Sequence, residues 1–202
     1  LETRDIIMTE VGANTANNCR VSRCFATGGR SYRMSLGASY CCYDYNSVSG
    51  GNGRLMEMRS SSTIGFRNCF VRNHIFGSSG TSSSNPAAVQ ITALNYTRFN
   101  DILETLFAQN LVEDNGYVFA FEVKGSNTSI VQNTFKGNST AIAMRHGRNH
   151  IVSGNWIPDG GISIRGDDAL VEGDVNSPQT GSPIVANMGN IPDGSLGEPT
   201  TT

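Results

Sequence analysis

A short pattern of apolar and polar residues containing an asparagine recurs along this chain. The clearest copy, residues 130–135, reads I-V-Q-N-T-F, and similar stretches occur at residues 64–70, 106–112, 151–157 and 170–175. The asparagine falls at positions 110, 133 and 155, while Asn68 precedes Asn110 by 42 positions, which we interpret as two turns of the repeat. A repeat of roughly 22 residues indicates a solenoid in which each copy packs only on its neighbours.

Period-two alternation of small or apolar residues with polar ones fills the segments between these copies, as at residues 141–144 and 162–164. This alternation is typical of half-buried strands, and strands this short are stable only when stacked. The sequence therefore predicts one all-β domain over residues 1–195, a single-stranded right-handed parallel β-helix of roughly eight or nine turns. Residues 100–110 also fit an amphipathic helix, but strand is favoured there because glycine, asparagine and β-branched residues are frequent in the chain.

The repeat also predicts which side chains stack. We expect Ile130, Ile151 and Leu170 to form one inward column. The repeated asparagines should occupy turns that need an αL backbone, with their amides forming a ladder between turns. Residues 196–202 are rich in threonine and are interpreted as a tail or linker, and the start without Met indicates a processed or truncated part of a larger chain.

Composition and charge narrow the possible partners. The net charge is −2 and no broad basic stripe is present, which argues against nucleic-acid binding. No apolar run is long enough to span a membrane. Glycosylation acceptor sequences at Asn95, Asn127 and Asn138 are compatible with a secreted glycoprotein, so we expect an extracellular location.

Five cysteines lie in the first third of the chain, at positions 19, 24, 41, 42 and 69. An odd number cannot pair completely within one chain, and without a C-x-x-C pair a zinc site is not expected. The alternatives are small buried thiols or one or two disulfides between the first turns. Neighbouring residues of a strand point to opposite sides, so Cys41 and Cys42 should not both be buried.

A lysine and an arginine stand one repeat apart, at positions 124 and 145. They should therefore point from the same face of neighbouring turns, about 4.8 Å apart at the backbone. Two cations held in this way can serve an acidic sugar, one by taking a proton and the other by giving one. The alternative is that both are solvated cations on a surface of the solenoid.

Several motifs around this pair resemble those of the family-six polysaccharide lyases, which are the alginate lyases and chondroitinase B. The motifs are Arg145-His146-Gly147, Gly154-Asn155 and the run G-G-I-S-I-R-G at residues 160–166, with Lys124 at the family's distance upstream. Asn133-Thr134-Phe135 lies between the two cations, as the corresponding element does in the family. The resemblance covers roughly residues 54–173 and implies a pectate-lyase-like β-helix.

The resemblance implies β-elimination on a uronic-acid polysaccharide of the alginate or chondroitin/dermatan type. Lys124 would be the base that removes the C5 proton, with its pKa lowered by burial and by Arg145. Arg145 would protonate or stabilise the leaving oxygen. His146, Arg148 and Arg165 are candidates for substrate binding, because arginine suits carboxylates and His146 adjoins Arg145. The alternative for these three is an ordinary packed or surface residue.

One departure concerns calcium. Two glutamates that hold Ca²⁺ in the family correspond to Tyr117 and Phe119 here, and neither side chain can replace such ligands. We therefore expect no metal cofactor, although Glu113 and Glu122 lie nearby in the sequence. Two other functions remain open. One is a non-catalytic carbohydrate-binding or adhesive β-helix, and the other is a filament subunit that self-associates end to end through open strand edges.

Overall fold

The structure is a computed structural model in which short strands stack into parallel sheets. It describes residues 2–3, 6–8, 17–28, 32–35, 39–50, 54–59, 65–79, 87–92, 102–116, 119–138, 140–145, 147, 149–158, 160–164, 169–172 and 184–186. Within these residues there is no helix, every strand pair is parallel, and nothing resembles a membrane-spanning helix. The chain is therefore an all-β parallel β-helix, as the repeat predicted.

Three large sheets make up the coil. The six-stranded sheet runs, in order of pairing, through β1 (Glu2–Thr3), β4 (Phe25–Thr27), β7 (Ser47–Ser49), β11 (His74–Phe76), β15 (Leu111–Glu113) and β18 (Thr134–Lys136). The seven-stranded sheet runs through β22 (Ala169–Glu172), β20 (His150–Ser153), β17 (Ser129–Val131), β14 (Leu106–Ala108), β10 (Cys69–Val71), β6 (Cys42–Asp44) and β3 (Arg20–Ser22).

The eight-stranded sheet runs through β2 (Ile6–Met8), β5 (Tyr32–Ser35), β8 (Met56–Arg59), β12 (Ala87–Thr92), β16 (Phe119–Lys124), β19 (Ile142–Met144), β21 (Ile162–Ile164) and β23 (Ile184–Ala186). A two-stranded sheet pairs β13 (Ile102–Leu103) with β9 (Gly65–Phe66). The described part of the segment that also fitted an amphipathic helix, residues 102–110, therefore contains the strands β13 and β14. From β3 to β19, the chain passes repeatedly from the seven-stranded sheet to the six-stranded sheet and then to the eight-stranded sheet.

An asparagine ladder runs along the corner between the seven-stranded and six-stranded sheets. Each Nδ2 donates to the Oδ1 of the asparagine one turn further on, at 2.9–3.0 Å, through Asn46, Asn73, Asn110, Asn133 and Asn155. Each Oδ1 also accepts a backbone N–H from the preceding turn, as in the 2.9 Å bond from the Asn73 amide to Asn110. The predicted ladder between turns is confirmed for the asparagines at 110, 133 and 155.

The ladder corrects two expectations about the repeat. Asn73, rather than Asn68, precedes Asn110 in the ladder, and a single long turn of 37 residues joins them. The stretch at residues 64–70 is therefore out of register with the other copies, because its Asn68 lies five positions before the ladder residue Asn73. The αL conformation lies on the residue before each asparagine, for example Gln109 and Gln132 with φ of 56°, and not on the asparagine itself. The side chain of the αL residue then points outwards, while the amide of the next residue turns in.

The core is a column of large apolar side chains inside the seven-stranded sheet. Tyr43, Phe70, Phe107, Ile130 and Val152 are in register on successive turns and are at most 1% exposed. Phe107 also stacks on Phe121 of the eight-stranded sheet, with ring centroids 4.3 Å apart. These contacts fill the space between the sheets with aromatic rings.

The expected column of Ile130, Ile151 and Leu170 is wrong by one residue. Ile151 is paired with Ser129 and is 42% exposed, whereas Val152 lies opposite Ile130. The copy at residues 151–157 has one extra residue before its asparagine, so alignment on the first isoleucine shifts the register. Because side chains alternate between the two faces, a shift of one residue exchanges inside for outside.

Candidate functional site

Lys124 and Arg145 lie side by side at the end of two neighbouring strands. Lys124 is the last residue of β16, and Arg145 directly follows β19. The two strands pair through Val123 and Met144, and the Arg145 amide donates to the Val123 carbonyl at 2.9 Å. The parallel register therefore places the two cations next to each other, as expected from their spacing in the sequence.

A buried carboxylate holds both cations. Glu122 Oε1 lies 3.0 Å from Arg145 Nη1 and 3.4 Å from Lys124 Nζ. The Glu122 side chain is fully buried, while those of Lys124 and Arg145 are 20% and 29% exposed. Gln90 Nε2 donates to the other oxygen of Glu122 from the preceding turn. Since its partners fix both oxygens, Glu122 orients the amine and the guanidinium towards one another.

A second ion pair extends this cluster along the sheet. Glu57, Gln90 and Glu122 are in register on three successive strands, and Arg54 Nη1 lies 2.5 Å from Glu57 Oε1. Glu57 is fully buried and the Arg54 side chain is 18% exposed. The described cluster thus contains three cationic side chains against two carboxylates. The excess positive charge in a half-buried setting favours an anionic ligand.

The electrostatics of the cluster bear on whether Lys124 can act as a base. Burial is the largest effect and lowers the pKa of Lys124 below its ordinary value. Glu122 opposes this by favouring the charged amine, while the charges of Arg145 and Arg54 lower the pKa further. At a given pH, a larger fraction of Lys124 is therefore neutral than of an exposed lysine. Proton abstraction requires this neutral amine.

Phe119 lies at a position where the resembled family carries a calcium-binding glutamate. Its ring is 6.0 Å from the Arg145 guanidinium carbon, close enough for a cation–π contact. Its side chain has no oxygen to offer a metal ion. Within the described part of the chain, no three His, Cys, Asp or Glu residues are grouped so that they could hold a metal ion.

The described part of the structure shows none of the remaining predicted site residues in this cluster. His146, Arg148 and Arg165 lie outside the described residues, as does Tyr117. Glu113, which lies near Lys124 in the sequence, belongs to the six-stranded sheet, where it binds His74 at 2.7 Å and Lys136 at 3.9 Å. Its contacts are therefore on another sheet than those of Lys124.

Sequence reasoning missed Arg54, Glu57 and Gln90, and did not assign a role to Glu122. A second repeat in the sequence could have revealed Glu57, Gln90 and Glu122. The strands of the eight-stranded sheet read M-E-M-R, V-Q-I-T, F-E-V-K and I-A-M-R at residues 56–59, 89–92, 121–124 and 142–145. When these four stretches are aligned on their apolar positions, they give the observed register. One column contains Glu57, Gln90 and Glu122, and a second column two positions further along each strand ends in Lys124 and Arg145.

One of the predicted glycosylation acceptors is an inner part of the solenoid. Asn138 is 3% exposed, and its Nδ2 donates to the carbonyls of Val112 and Lys136 at 3.0 and 2.9 Å. A glycan on this nitrogen would break both bonds and could not be accommodated inside the wall. Asn127 is only partly buried and accepts a 3.1 Å hydrogen bond from Asn149 at the surface, whereas Asn95 lies outside the described residues.

Comparison of the chain with family models, with curated proteins and with solved structures finds no match.

Proposed function

We propose that this protein is a polysaccharide lyase that cleaves a uronic-acid polymer by β-elimination. The observation that carries the proposal is the pairing of Lys124 and Arg145 on one buried carboxylate, with the pKa of Lys124 lowered mainly by burial. An amine with a lowered pKa next to a cation that cannot lose its charge is the arrangement that elimination beside a carboxylate requires. The substrate class, alginate or chondroitin/dermatan, is what the resemblance of the surrounding motifs to the family-six lyases implies.

The proposed reaction begins with neutral Lys124. Its Nζ takes the C5 proton of the uronate, and the C–H electrons form the double bond between C4 and C5. The bond from C4 to the glycosidic oxygen breaks, and Arg145 stabilises the negative charge that develops on this oxygen by hydrogen-bond donation. The oxygen then takes a proton from water and leaves as an alcohol. Glu122 holds both groups in place and stabilises the ammonium form of Lys124 after proton transfer.

The substrate carboxylate also needs a positive partner, because its charge opposes removal of the neighbouring proton. We assign this role to Arg54, whose charge already lowers the pKa of Lys124 and which therefore lies within electrostatic reach of it. A guanidinium can bind a carboxylate while part of it stays on Glu57. In this proposal the reaction proceeds without calcium, outside the cell where such polymers occur.

The test is incubation with alginate, polymannuronate and dermatan sulfate, read as ultraviolet absorbance of the unsaturated product. Lys124→Ala should abolish turnover and leave the circular dichroism spectrum unchanged. Lys136→Ala is the matched control, because this lysine is 54% exposed on another sheet and should not affect the rate. Turnover by the wild type should persist in a chelator. Absence of product from all three polymers would refute the lyase proposal.

A second candidate is a non-catalytic site that binds an acidic polysaccharide. The specific observation in its favour is Glu122, which raises the pKa of Lys124 and so stabilises the charged amine. Two permanent cations would bind a uronate or sulfate but would not abstract a proton. This candidate predicts salt-sensitive retention in affinity electrophoresis, weakened by Lys124→Ala and by Arg145→Ala, without any unsaturated product.

A further inference from the structure

Three neighbouring turns in the N-terminal third of the chain bring four cysteines into two adjacent rows. Cys42 and Cys69 lie directly opposite each other on β6 and β10, and they form a disulfide with a Cα–Cα distance of 4.6 Å. Cys19, Cys24 and Cys41 carry thiols. The geometry of these thiols decides which of them can also be joined.

Cys19 and Cys41 lie opposite each other in the row next to this disulfide. Asn17 bridges to Ser39 and Arg20 pairs with Cys42, so the same register places Cys19 opposite Cys41. The Cys19 amide donates to Cys41 Sγ at 3.4 Å, and the Cys42 amide donates to the Cys19 carbonyl at 2.9 Å. Opposed residues on paired strands have Cα atoms about 4.8 Å apart, within the range of disulfides.

Both side chains turn in the same direction because the backbone bends in the same way before each cysteine. Asn18 and Tyr40, the residues before the two cysteines, share the αL conformation with φ of 57°. Cys41 is 1% exposed, and Cys19 packs against the core as a partly buried residue. Cys24 differs, because its turn-on-turn neighbour is Asn46, whose Oδ1 accepts the Cys24 amide at 3.0 Å. Cys24 therefore has no cysteine opposite it among the described residues.

We propose that Cys19 and Cys41 form a second disulfide when the protein folds in an oxidising environment that supplies a small-molecule disulfide. The half-buried Cys19 thiolate attacks the oxidant, forms a mixed disulfide and releases one small thiol. The Cys41 thiolate then attacks Cys19 Sγ and releases the second small thiol. The two protein thiols lose two protons and two electrons, and the oxidant gains both.

This order of events follows from exposure. Burial raises the pKa of the Cys41 thiol, and the neighbouring Cys19 backbone and thiol modify that effect. Cys19 is therefore the thiol that the oxidant meets first. Together the two disulfides would link three successive turns. The proposed bond starts from Cys41 on the inner side of the wall, and the other starts from Cys42, which is only partly buried.

The test counts thiols in the 202-residue chain after folding in a glutathione redox buffer. The protein is denatured in mildly acidic guanidinium with excess N-ethylmaleimide and no reductant, and its intact mass is measured. We expect one adduct, on Cys24, and five adducts after full reduction. Three adducts without reduction, on Cys19, Cys24 and Cys41, would overturn the proposal.

A tryptic map identifies the bonds themselves. The expected species joins three peptides, residues 5–20, 34–54 and 68–72. Because Cys41 and Cys42 share one peptide, Cys42→Ser resolves the pairing: peptides 5–20 and 34–54 should stay joined while peptide 68–72 is released. Release of peptide 5–20 in this variant would show that Cys19 had paired with Cys42 and would contradict the proposal. Cys24→Ser is the control and should give no adduct before reduction.

Discussion

Removal of one amide from the middle of the asparagine ladder tests the structure most directly. In Asn110→Ala, Oδ1 no longer accepts from the backbone amide and the Nδ2 of Asn73, at 2.9 and 3.0 Å. Nδ2 no longer donates to the Phe70 carbonyl or to Asn133 Oδ1, at 2.9 and 3.0 Å. Each intramolecular hydrogen bond contributes about 1 kcal/mol, so we expect the free energy of unfolding to fall by about 4 kcal/mol.

A variant at the end of the ladder shows how the loss of stability depends on the number of hydrogen bonds removed. The Asn155 side chain makes three such bonds, to the amide and Nδ2 of Asn133 and to the Ile130 carbonyl. Asn155→Ala should therefore cost about 3 kcal/mol, less than the central substitution. Asn110→Asp should cost more than Asn110→Ala at neutral pH, because it keeps the acceptor but leaves a buried carboxylate facing the Phe70 carbonyl and Asn133 Oδ1.

The assay is equilibrium unfolding in guanidinium, followed both by far-ultraviolet circular dichroism and by the fluorescence of Trp156, the single tryptophan, which adjoins the ladder. Coincident curves justify a two-state analysis. Gln109→Gly is the matched control, since this neighbour is exposed and its φ of 56° suits glycine. We expect it to change stability by less than about 1 kcal/mol. A loss below about 1 kcal/mol in Asn110→Ala would refute the ladder.

Three other predictions concern the site, the core and an ion pair. In an active lyase, Glu122→Gln should move the alkaline rise of the pH–rate profile to lower pH, because Glu122 raises the pKa of Lys124; an unchanged profile would contradict Lys124 as the base. If the Gln90 amide turns over, its Oε1, which has no hydrogen-bond partner among the described residues, can accept from the new amide. Phe107→Ala should lower the free energy of unfolding by about 3–5 kcal/mol in guanidinium titrations, since the ring is fully buried, and a cost below 1 kcal/mol would disprove its core position. The hydrogen bond from Arg20 lowers the pKa of Asp44 below its ordinary value, so this carboxylate contributes stability above about pH 4 that is lost as pH falls through the lowered pKa. The stability difference between wild type and Asp44→Asn should therefore shrink on acidification in thermal melts, and a constant difference from pH 7 to strongly acid conditions would rule this out.

The local sequence pattern was sufficient to predict the fold class and the adjacency of Lys124 and Arg145. Short alternating strands separated by turn residues can bury their apolar side only by stacking, so the repeat alone predicts a parallel solenoid. The spacing of Lys124 and Arg145 equals one short turn, and this stretch of the coil contains no insertion. Their adjacency was therefore readable from the sequence, as was the opposite orientation of Cys41 and Cys42.

The register of the longer turns was decided only in three dimensions. Turns of 27 and 37 residues precede Asn73 and Asn110, and extra residues of this kind hide the period of the repeat. Burial of Phe70 opposite Phe107 settles the alignment, because a shift of one residue would put these rings on the outer face. The sequence by itself determined that short strands stack in parallel and that Lys124 lies beside Arg145. The stacking of Val152 on Ile130, the partnership of Glu122 with both cations and the position of Cys19 opposite Cys41 depend on contacts between turns that no single turn contains.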